Sequence, residues 1–429
     1  MGGREPIGHD AVSLPALSTE AAIMSTSLLY HAMGVRNYRH VKTEYKRGEV
    51  LLHVERPLKS LRCPACHSPE VILRGRKQRR FRSVPIGQTP VWIVLDHQRV
   101  GCGECGAVLW DRIDFAEGRA RFTRAFARFA LSLALNMCLW AVAQQLGVGW
   151  DLVKKLKRDH LQRCFDKPSL RGLRHIAIDE IHVGKGGRFL SLVLDLHTGA
   201  IVYVGEGKGG DALDPFWRRL KQSGARIEAV AMDMSAAYIA AVRRALPHVP
   251  IIFDHFHVVK LVNDKLTALR RELYRTADHA TRKLLKGTRW LLLKAPANLS
   301  MERNEWEHLE EALALNRPLA LAYYLKEELR LLWDAADREQ AVGILETWIA
   351  RAHASGIAHL QSLADTLQCH WHGLLAWFDH PIGTGPLEGV NNKIRALTRQ
   401  SYGFRDREYF RLQLLGLHET RSELVGLAS

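Results

Sequence analysis

The sequence predicts a multidomain chain, α/β with a large all-α part, and three observations predict it. Two Cys-x-x-Cys pairs, at Cys63/Cys66 and Cys102/Cys105, flank short β-branched segments. Between residues 173 and 253, short apolar runs alternate with amphipathic ones, as strands alternate with helices. From 261 to 370 the apolar residues keep a helical period with few strand signals. A chain of 429 residues is long enough for several cores, since a domain takes roughly 100–200 residues.

Charge narrows the partners. The chain carries 61 Lys and Arg against 45 Asp and Glu, a formal charge of +16, and its pI is about 9.7. Such a surplus favours polyanions, of which nucleic acid is the commonest. No membrane partner is expected. The most apolar stretch, residues 129–143, includes Ser132 and Asn136 and falls short of the roughly 20 apolar residues of a span; it reads as a buried helix. No charged and apolar leader opens the chain, so a cytoplasmic location is expected.

Residues 1–23 have no clear period and read as a disordered leader, with Met24 as a second candidate start. Residues 24–115 read as a zinc-binding β module. The four thiolates of Cys63, Cys66, Cys102 and Cys105 suit a tetrahedral structural Zn²⁺ site. The 35 residues between the pairs exceed the commonest spacing of roughly 15 to 20, so a long hairpin is expected to join them. Its strands fall near 71–73 and 91–95, with Pro85, Gly87 and Pro90 as turn residues. A disulfide framework suits secreted chains and is disfavoured here. The isolated Cys138, Cys164 and Cys369 read as buried packing residues. Between the pairs run Arg74, Arg76, Lys77, Arg79, Arg80 and Arg82. A solvated charge run is the plainer reading, but on a zinc-stapled hairpin these cations read as phosphate contacts.

Residues 116–172 read as a helix-turn-helix region. Small Ala143 permits close helix crossing, Gly147 allows the turn and Val153 packs a second helix, starting near Gly149 or Trp150, onto the first. That helix is expected to expose Lys154, Lys155, Lys157 and Arg158 to DNA. An ordinary helical hairpin is the alternative.

The next segment gives a strand at 175–181, a hairpin at 189–196 and 201–204, a helix at 211–222, a strand at 227–232, a helix at 236–246 and a strand at 251–253. Strand, hairpin, helix, strand, helix, strand is a ribonuclease H-like order. It places Asp179 in the first strand and Asp233 at the end of the fourth. Strand alternation sends Asp179 and Glu180 to opposite faces, with Ala177, Asp179 and Ile181 on one and Ile176 and Ile178 on the other. Glu388 follows Gly385 and Pro386, a helix start. In that helix Leu387, Val390, Ile394 and Leu397 form the apolar stripe, while Glu388, Asn392, Arg395 and Arg399 share a neighbouring face. Three carboxylates are hard oxygen ligands for Mg²⁺ or Mn²⁺, and two such ions support phosphodiester cleavage. A strand-end cap is the bland alternative for either aspartate, and a solvated first-turn carboxylate for Glu388.

The stretches IDEIHVGKGGRFLSLVLDLHTG, AVAMDMSAAYIAAVRRALP, FDHFHVVKLVND and GPLEGVNNKIRALTRQSYGFRD resemble, in this order, those of bacterial insertion-sequence transposases of the ISL-three family. The resemblance covers nearly the whole chain and implies a zinc-binding module, a helix-turn-helix and a DDE catalytic domain. The family's two aspartates fall on Asp179 and Asp233 and its glutamate on Glu388. Asp254, His255 and His257 resemble a recurrent family pattern; a structural histidine and a role in binding DNA or positioning the leaving group both stay open for them, outside the catalytic set.

The expected catalytic domain spans 173–260 and 371–429, interrupted by a helical insertion at 261–370. In that part Trp290, Trp306, Trp333, Trp348, Trp371 and Trp377 read as core rather than base-stacking groups. The expected function is binding of the element's terminal inverted repeats, metal-assisted strand cleavage, and joining of the 3′-hydroxyl ends to target DNA by a homodimer or larger assembly, nucleoid-associated when bound. A non-catalytic DNA-binding regulator derived from a transposase is the alternative.

Overall fold

The computed structural model describes residues 28–183, 188–401 and 403–418; the expected leader at 1–23 and the alternative start at Met24 lie outside the described residues. Two compact units result, residues 28–160 and Leu161–His418.

In the first unit, β1 (Arg39–Lys46), β2 (Glu49–Glu55), β3 (Val71–Ile86) and β4 (Thr89–Cys102) form a sheet of order β1-β2-β4-β3, with β5 (Val108–Trp110) paired to β4. Alternation puts Val50, Leu52, Val54, Phe81, Val91, Ile93 and Leu95 into one core with Met33 and Phe115. The hairpin of β3 and β4 is much longer than the sequence suggests, because the basic run is itself strand. Arg and Lys are weak strand formers, but the ladder to the buried residues of β4 overrides that preference.

Helix α1 (Arg124–Asn136) starts at Thr123, whose side chain accepts from the Phe126 N–H, a standard N-cap. The expected single helix at 129–143 is broken at Met137 and Cys138, and α2 (Leu139–Leu146) follows. Gly147 ends α2 at φ 59°, a left-handed cap that glycine adopts without strain. Then α3 (Trp150–Phe165) carries the chain into the second unit. Ala143, Leu146 and Val153 share one buried cluster with Phe126 and Ala130, as the sequence predicts for the helix crossing.

The second unit is built on a five-stranded sheet of order β10-β9-β6-β7-β8. Its strands are β6 (His175–His182), β7 (Phe189–Asp195), β8 (Ile201–Glu206), β9 (Ala229–Met232) and β10 (Ile251–Phe253). The β6-β7-β8 ladder is antiparallel, while β9 and β10 run parallel to β6 and connect through helices α4 (Asp214–Ser223) and α5 (Ala236–Ala245). Ile176, Ile178, Val230 and Met232 point into a core that continues through the helical part to Leu325, Leu345 and Trp348. Ala177, Ile181, Leu192 and Ala231 face the other side.

Helices fill the chain from α6 (His255–Thr276) to α12 (Trp371–Asp379). They include α7 (His279–Gly287), α8 (Glu305–Leu315), α9 (Arg317–Arg330), α10 (Arg338–Ala354) and α11 (Ala358–Cys369). Asp254, Asp278, Asn316 and Asp337 start four of them, each accepting a first-turn N–H. Each such cap contributes roughly 1 kcal/mol. The close approach of α12 to β10 needs Gly373, since a Cβ there would fall 2.3 Å from the Phe253 ring. Of the tryptophans expected in the core, Trp348 is buried, but Trp290 is 63% and Trp306 38% exposed. The cysteine expectation is corrected as well: Cys164 and Cys369, near helix ends, are exposed and Cys138 is half-buried.

Candidate active site and metal centre

Register brings three aspartates to one level. Ile178 of β6 and Phe253 of β10 both pair with Met232 of β9. The residues that follow, Asp179, Asp233 and Asp254, therefore stand just past the paired stretches of three neighbouring parallel strands, about 4.8 Å apart from strand to strand. Asp179 lies on the face of Ala177 and Ile181, as the alternation predicts, and Glu180 turns away toward Lys208.

That face is covered by α13 (Gly385–Gln400), whose Leu387, Val390 and Ile394 join the cluster of Ala177, Ile181 and Ala231. The stripe read from the sequence is the buried one. One turn beyond Glu388, the Asn391 amide donates to Asp179 Oδ2 at 2.7 Å, while Asp179 Oδ1 accepts the Glu180 N–H at 2.8 Å. Burial pushes the Asp179 carboxyl above the usual carboxylate range against these two donors. Asp233 Oδ1 accepts the Ser235 N–H at 3.1 Å, and Glu388 is exposed in the first turn of α13. The reading of this helix missed Asn391, setting Asn392 beside Glu388 instead; Asn392 is exposed and accepts from Arg395. The available signal was the spacing of three, which also puts two side chains on one helix flank.

Asp254 is only 5% exposed. Its Oδ1 caps α6 at the Phe256 N–H, and its Oδ2 accepts from His257 Nδ1 at 3.1 Å and from the Thr384 hydroxyl. The bond to Asp254 holds the His257 imidazole above its usual value despite burial, and the Asp233 and Asp179 charges act in the same direction. Burial would raise the Asp254 carboxyl, but the His257 and Thr384 bonds hold it below the usual range. His255 is exposed and stacks near Trp333.

In the first unit the four sulfurs of Cys63, Cys66, Cys102 and Cys105 lie within 4.8 Å of one another. Cys63 and Cys105 are 3.6 Å apart and Cys66 and Cys102 3.5 Å, near the roughly 3.8 Å edge of a tetrahedron with Zn–S bonds of about 2.3 Å. Backbone N–H groups of Cys66 and Ala65 pull the Cys63 thiol down to about 6, favouring a thiolate. Soft thiolates in this arrangement fit zinc. Among the described residues no second set of His, Cys, Asp or Glu ligands is gathered so closely, and Asp179, Asp233 and Glu388 do not close to that distance. Their chemistry still fits a hard cation: all are oxygen donors, and the buried Asn391 Oδ1 beside Asp179 has no hydrogen-bond partner.

The basic run divides between two faces. In β3, Arg76, Arg80 and Arg82 share one parity and Lys77 and Arg79 the other. Arg74, Arg76, Lys77 and Arg80 are exposed, with Lys77 over Trp110 and Arg80 over Trp92. The DNA-contact expectation for Arg82 is corrected: it is 7% exposed, lies over Trp92 and Phe126, and donates to the Leu146 carbonyl at 2.8 Å. Arg79 is half-buried and reaches the Ala120 carbonyl. Of the four α3 cations expected to meet DNA, Lys155 is the exposed one, paired with Asp159. Lys154 and Arg158 are half-buried, and Lys157 donates to the Ala134 carbonyl at the end of α1. Arg395 and Arg399 are exposed on α13.

Residues 176–414 match the family model described as a transposase of the ISL3 group, and residues 59–105 match the zinc finger of the IS204/IS1001/IS1096/IS1165 transposases. The chain belongs to the ISL3 transposase family. It is 32% identical over 358 residues to the transposase of insertion sequence element IS1001 from Bordetella parapertussis, covering 82% of this chain and 86% of that one. With the transposase of IS1557 from Mycobacterium tuberculosis the identity is 28% over 382 residues, covering 82% and 84%. A solved Drosophila P element transposase strand transfer complex is similar at a TM-score of 0.36 and 12% identity, covering 71% of this chain and 94% of that one, which is too distant to assign anything here. The zinc-finger match contains all four cysteines of the cluster, so a structural Zn²⁺ belongs to the first unit of this DDE transposase. No helix among its described residues is long and apolar enough to cross a membrane.

Proposed function

We propose that this transposase cuts and joins DNA strands at one acidic centre formed by Asp179, Asp233 and Glu388 in a ribonuclease H-like domain. The observation that carries the reading is the pairing of Ile178 with Met232, which sets Asp179 and Asp233 side by side, together with the Asn391 bond that ties the Glu388 helix to Asp179. The strand order β8-β7-β6-β9-β10, antiparallel then parallel, supports the ribonuclease H-like assignment. The domain limits proposed are 173–260 and 371–429, around an insertion at 261–370.

When bound by Asp179, Asp233 and Glu388, two Mg²⁺ or Mn²⁺ ions would supply activation of water and stabilisation of the leaving oxygen. Asn391 fixes the orientation of Asp179. Arg395 and Arg399, further along α13, contact phosphate. Water attacks the phosphodiester at the element end: the water O–P bond forms, the P–O3′ bond breaks, and a 3′-hydroxyl is left. That hydroxyl then attacks a target phosphodiester, so one P–O3′ bond forms as another breaks, without a covalent protein intermediate.

The zinc module at 24–115 and a helix-turn-helix within 116–172 bind the terminal inverted repeats through the exposed cations Arg74, Arg76, Lys77, Arg80 and Lys155. Two ends must be held together, so a homodimer or larger assembly forms on DNA. The test is incubation of the purified chain with Mg²⁺ and DNA carrying the element's own inverted repeats. New 3′-hydroxyl ends and their joining to target are expected; tight, specific binding with no cleavage in either Mg²⁺ or Mn²⁺ would instead make the chain a DNA-binding regulator.

A further inference from the structure

Thr384 occupies the N-cap position of α13, yet its side chain makes no bond to its own helix. A threonine there ordinarily accepts a first-turn N–H. Here Thr384 is 6% exposed, and its hydroxyl donates instead to Asp254 Oδ2, 130 positions away in the chain. Asp254 is likewise more than a cap. Its Oδ1 suffices for the first turn of α6, leaving Oδ2 to His257 and Thr384.

Asp254 follows the end of β10, level with Asp233 and Asp179, and its N–H is bonded to the Met232 carbonyl. Thr384 lies four residues before Glu388. The apolar stripe of α13 holds that helix on the sheet face, but apolar contact is non-directional and leaves sliding and rotation weakly resisted. A buried, charge-assisted bond at the helix start is directional and fixes the axial register.

We propose that Asp254 and Thr384 clamp the start of α13 to the acidic strand ends, so that Asp254 is a positioning residue that sets Glu388 against Asp179 and Asp233. The clamp closes the sheet across the whole helical insertion, which lies between its two halves. It rests on the reading of those three carboxylates as one centre.

Thr384→Val keeps size and branching but loses the hydroxyl; Thr384→Ser restores it. The full-length variants are compared with wild type, Asp179→Asn and Glu388→Gln in two readouts, Mn²⁺ binding by electron paramagnetic resonance and single-turnover end cleavage. Thr384→Val is expected to fold, to bind inverted-repeat DNA normally, to bind Mn²⁺ about 10-fold more weakly and to cleave correspondingly slower, with Thr384→Ser near wild type in both. Should Thr384→Val fail to fold, Asp254→Ser serves in its place, since serine can still cap α6 but is too short to reach Thr384. Wild-type Mn²⁺ binding and cleavage in the clamp variant, with Asp179→Asn and Glu388→Gln impaired, would overturn the clamp and leave the site reading standing. Equal impairment in Thr384→Ser would also overturn it, as a packing effect. Retention of both readouts in Asp179→Asn and Glu388→Gln would remove the site reading, and the clamp with it.

Discussion

His257 sits within the field of three aspartates, and its charge couples the site to pH. Its folded pKa is raised, so the stabilisation from protonated His257 is complete below its unfolded value near 6.5 and is lost as pH climbs through the folded value. Asp254 has the opposite sign: its contribution is present above about 3.8 and is lost as pH falls through the lowered folded value. The pair is therefore most stabilising between these limits. Without added magnesium, the gap in Tm between wild type and His257→Gln should be widest below the unfolded value near 6.5 and should close as pH climbs through the raised folded value; a gap independent of pH would refute the ion pair. At this scale the sequence was readable where chemistry is local. Asp179 and Asp233 end apolar runs and Glu388 follows a Gly-Pro helix start, and each announces itself within ten residues. Asp254 also ends an apolar run, but its partnership with Thr384 carries no local signal, because it spans 130 positions and only the folded sheet brings it about.

Arg82 shows how an element can hide a residue's role. Within a run of cations it looks like a phosphate contact, but its place in β3 is fixed by cross-strand pairing with Trp92. The backbone on either side of Phe122 bonds back to Arg82, and the guanidinium ends at the Leu146 carbonyl, just before the turn at Gly147. A cation at a helix C-terminus is favourable, and here it fastens α2 to the sheet. Arg82→Met should cost about 1.5–3 kcal/mol of stability, the worth of a charged buried hydrogen bond. It should weaken binding to the inverted repeats without changing the salt dependence, whereas Arg76→Ala should reduce the slope of log K against log salt by roughly 1. An equal loss of slope in Arg82→Met would return it to the phosphate contacts. Short apolar runs revealed β6 to β10, whose sheet is buried on both faces, and the apolar stripe revealed α13. Periodicity did not reveal β1 or the length of β3, whose residues are mostly polar or exposed and are strand only because a neighbour holds them, and the reading also passed over β2, whose Val50, Leu52 and Val54 are buried.

For the molecule as a whole, the soft and hard donor sets stand in different units, so removing zinc should act on one and spare the other. Chelation, or Cys66→Ser, should release zinc, abolish specific DNA binding and speed hydrogen exchange at the Cys63 and Cys102 ends of the first sheet, while β6 and β9 keep their protection. Unchanged exchange after complete zinc loss would contradict a structural role. The strong positive charge and the four-cysteine zinc set were legible from composition and spacing; how far the basic run splits between faces was not, because alternation matters only once the strand is known. The central claim is that three carboxylates form one strand-cutting centre. Its most direct test is the single-turnover rate of end cleavage in Asp179→Asn, Asp233→Asn, Glu388→Gln and the triple variant, at matched DNA occupancy. Residues that act as a unit are non-additive, so each single variant should lose about 1,000-fold or more and the triple variant should fall no further. Any one of the three cleaving within about 10-fold of wild type would take that residue out of the centre and contradict the account.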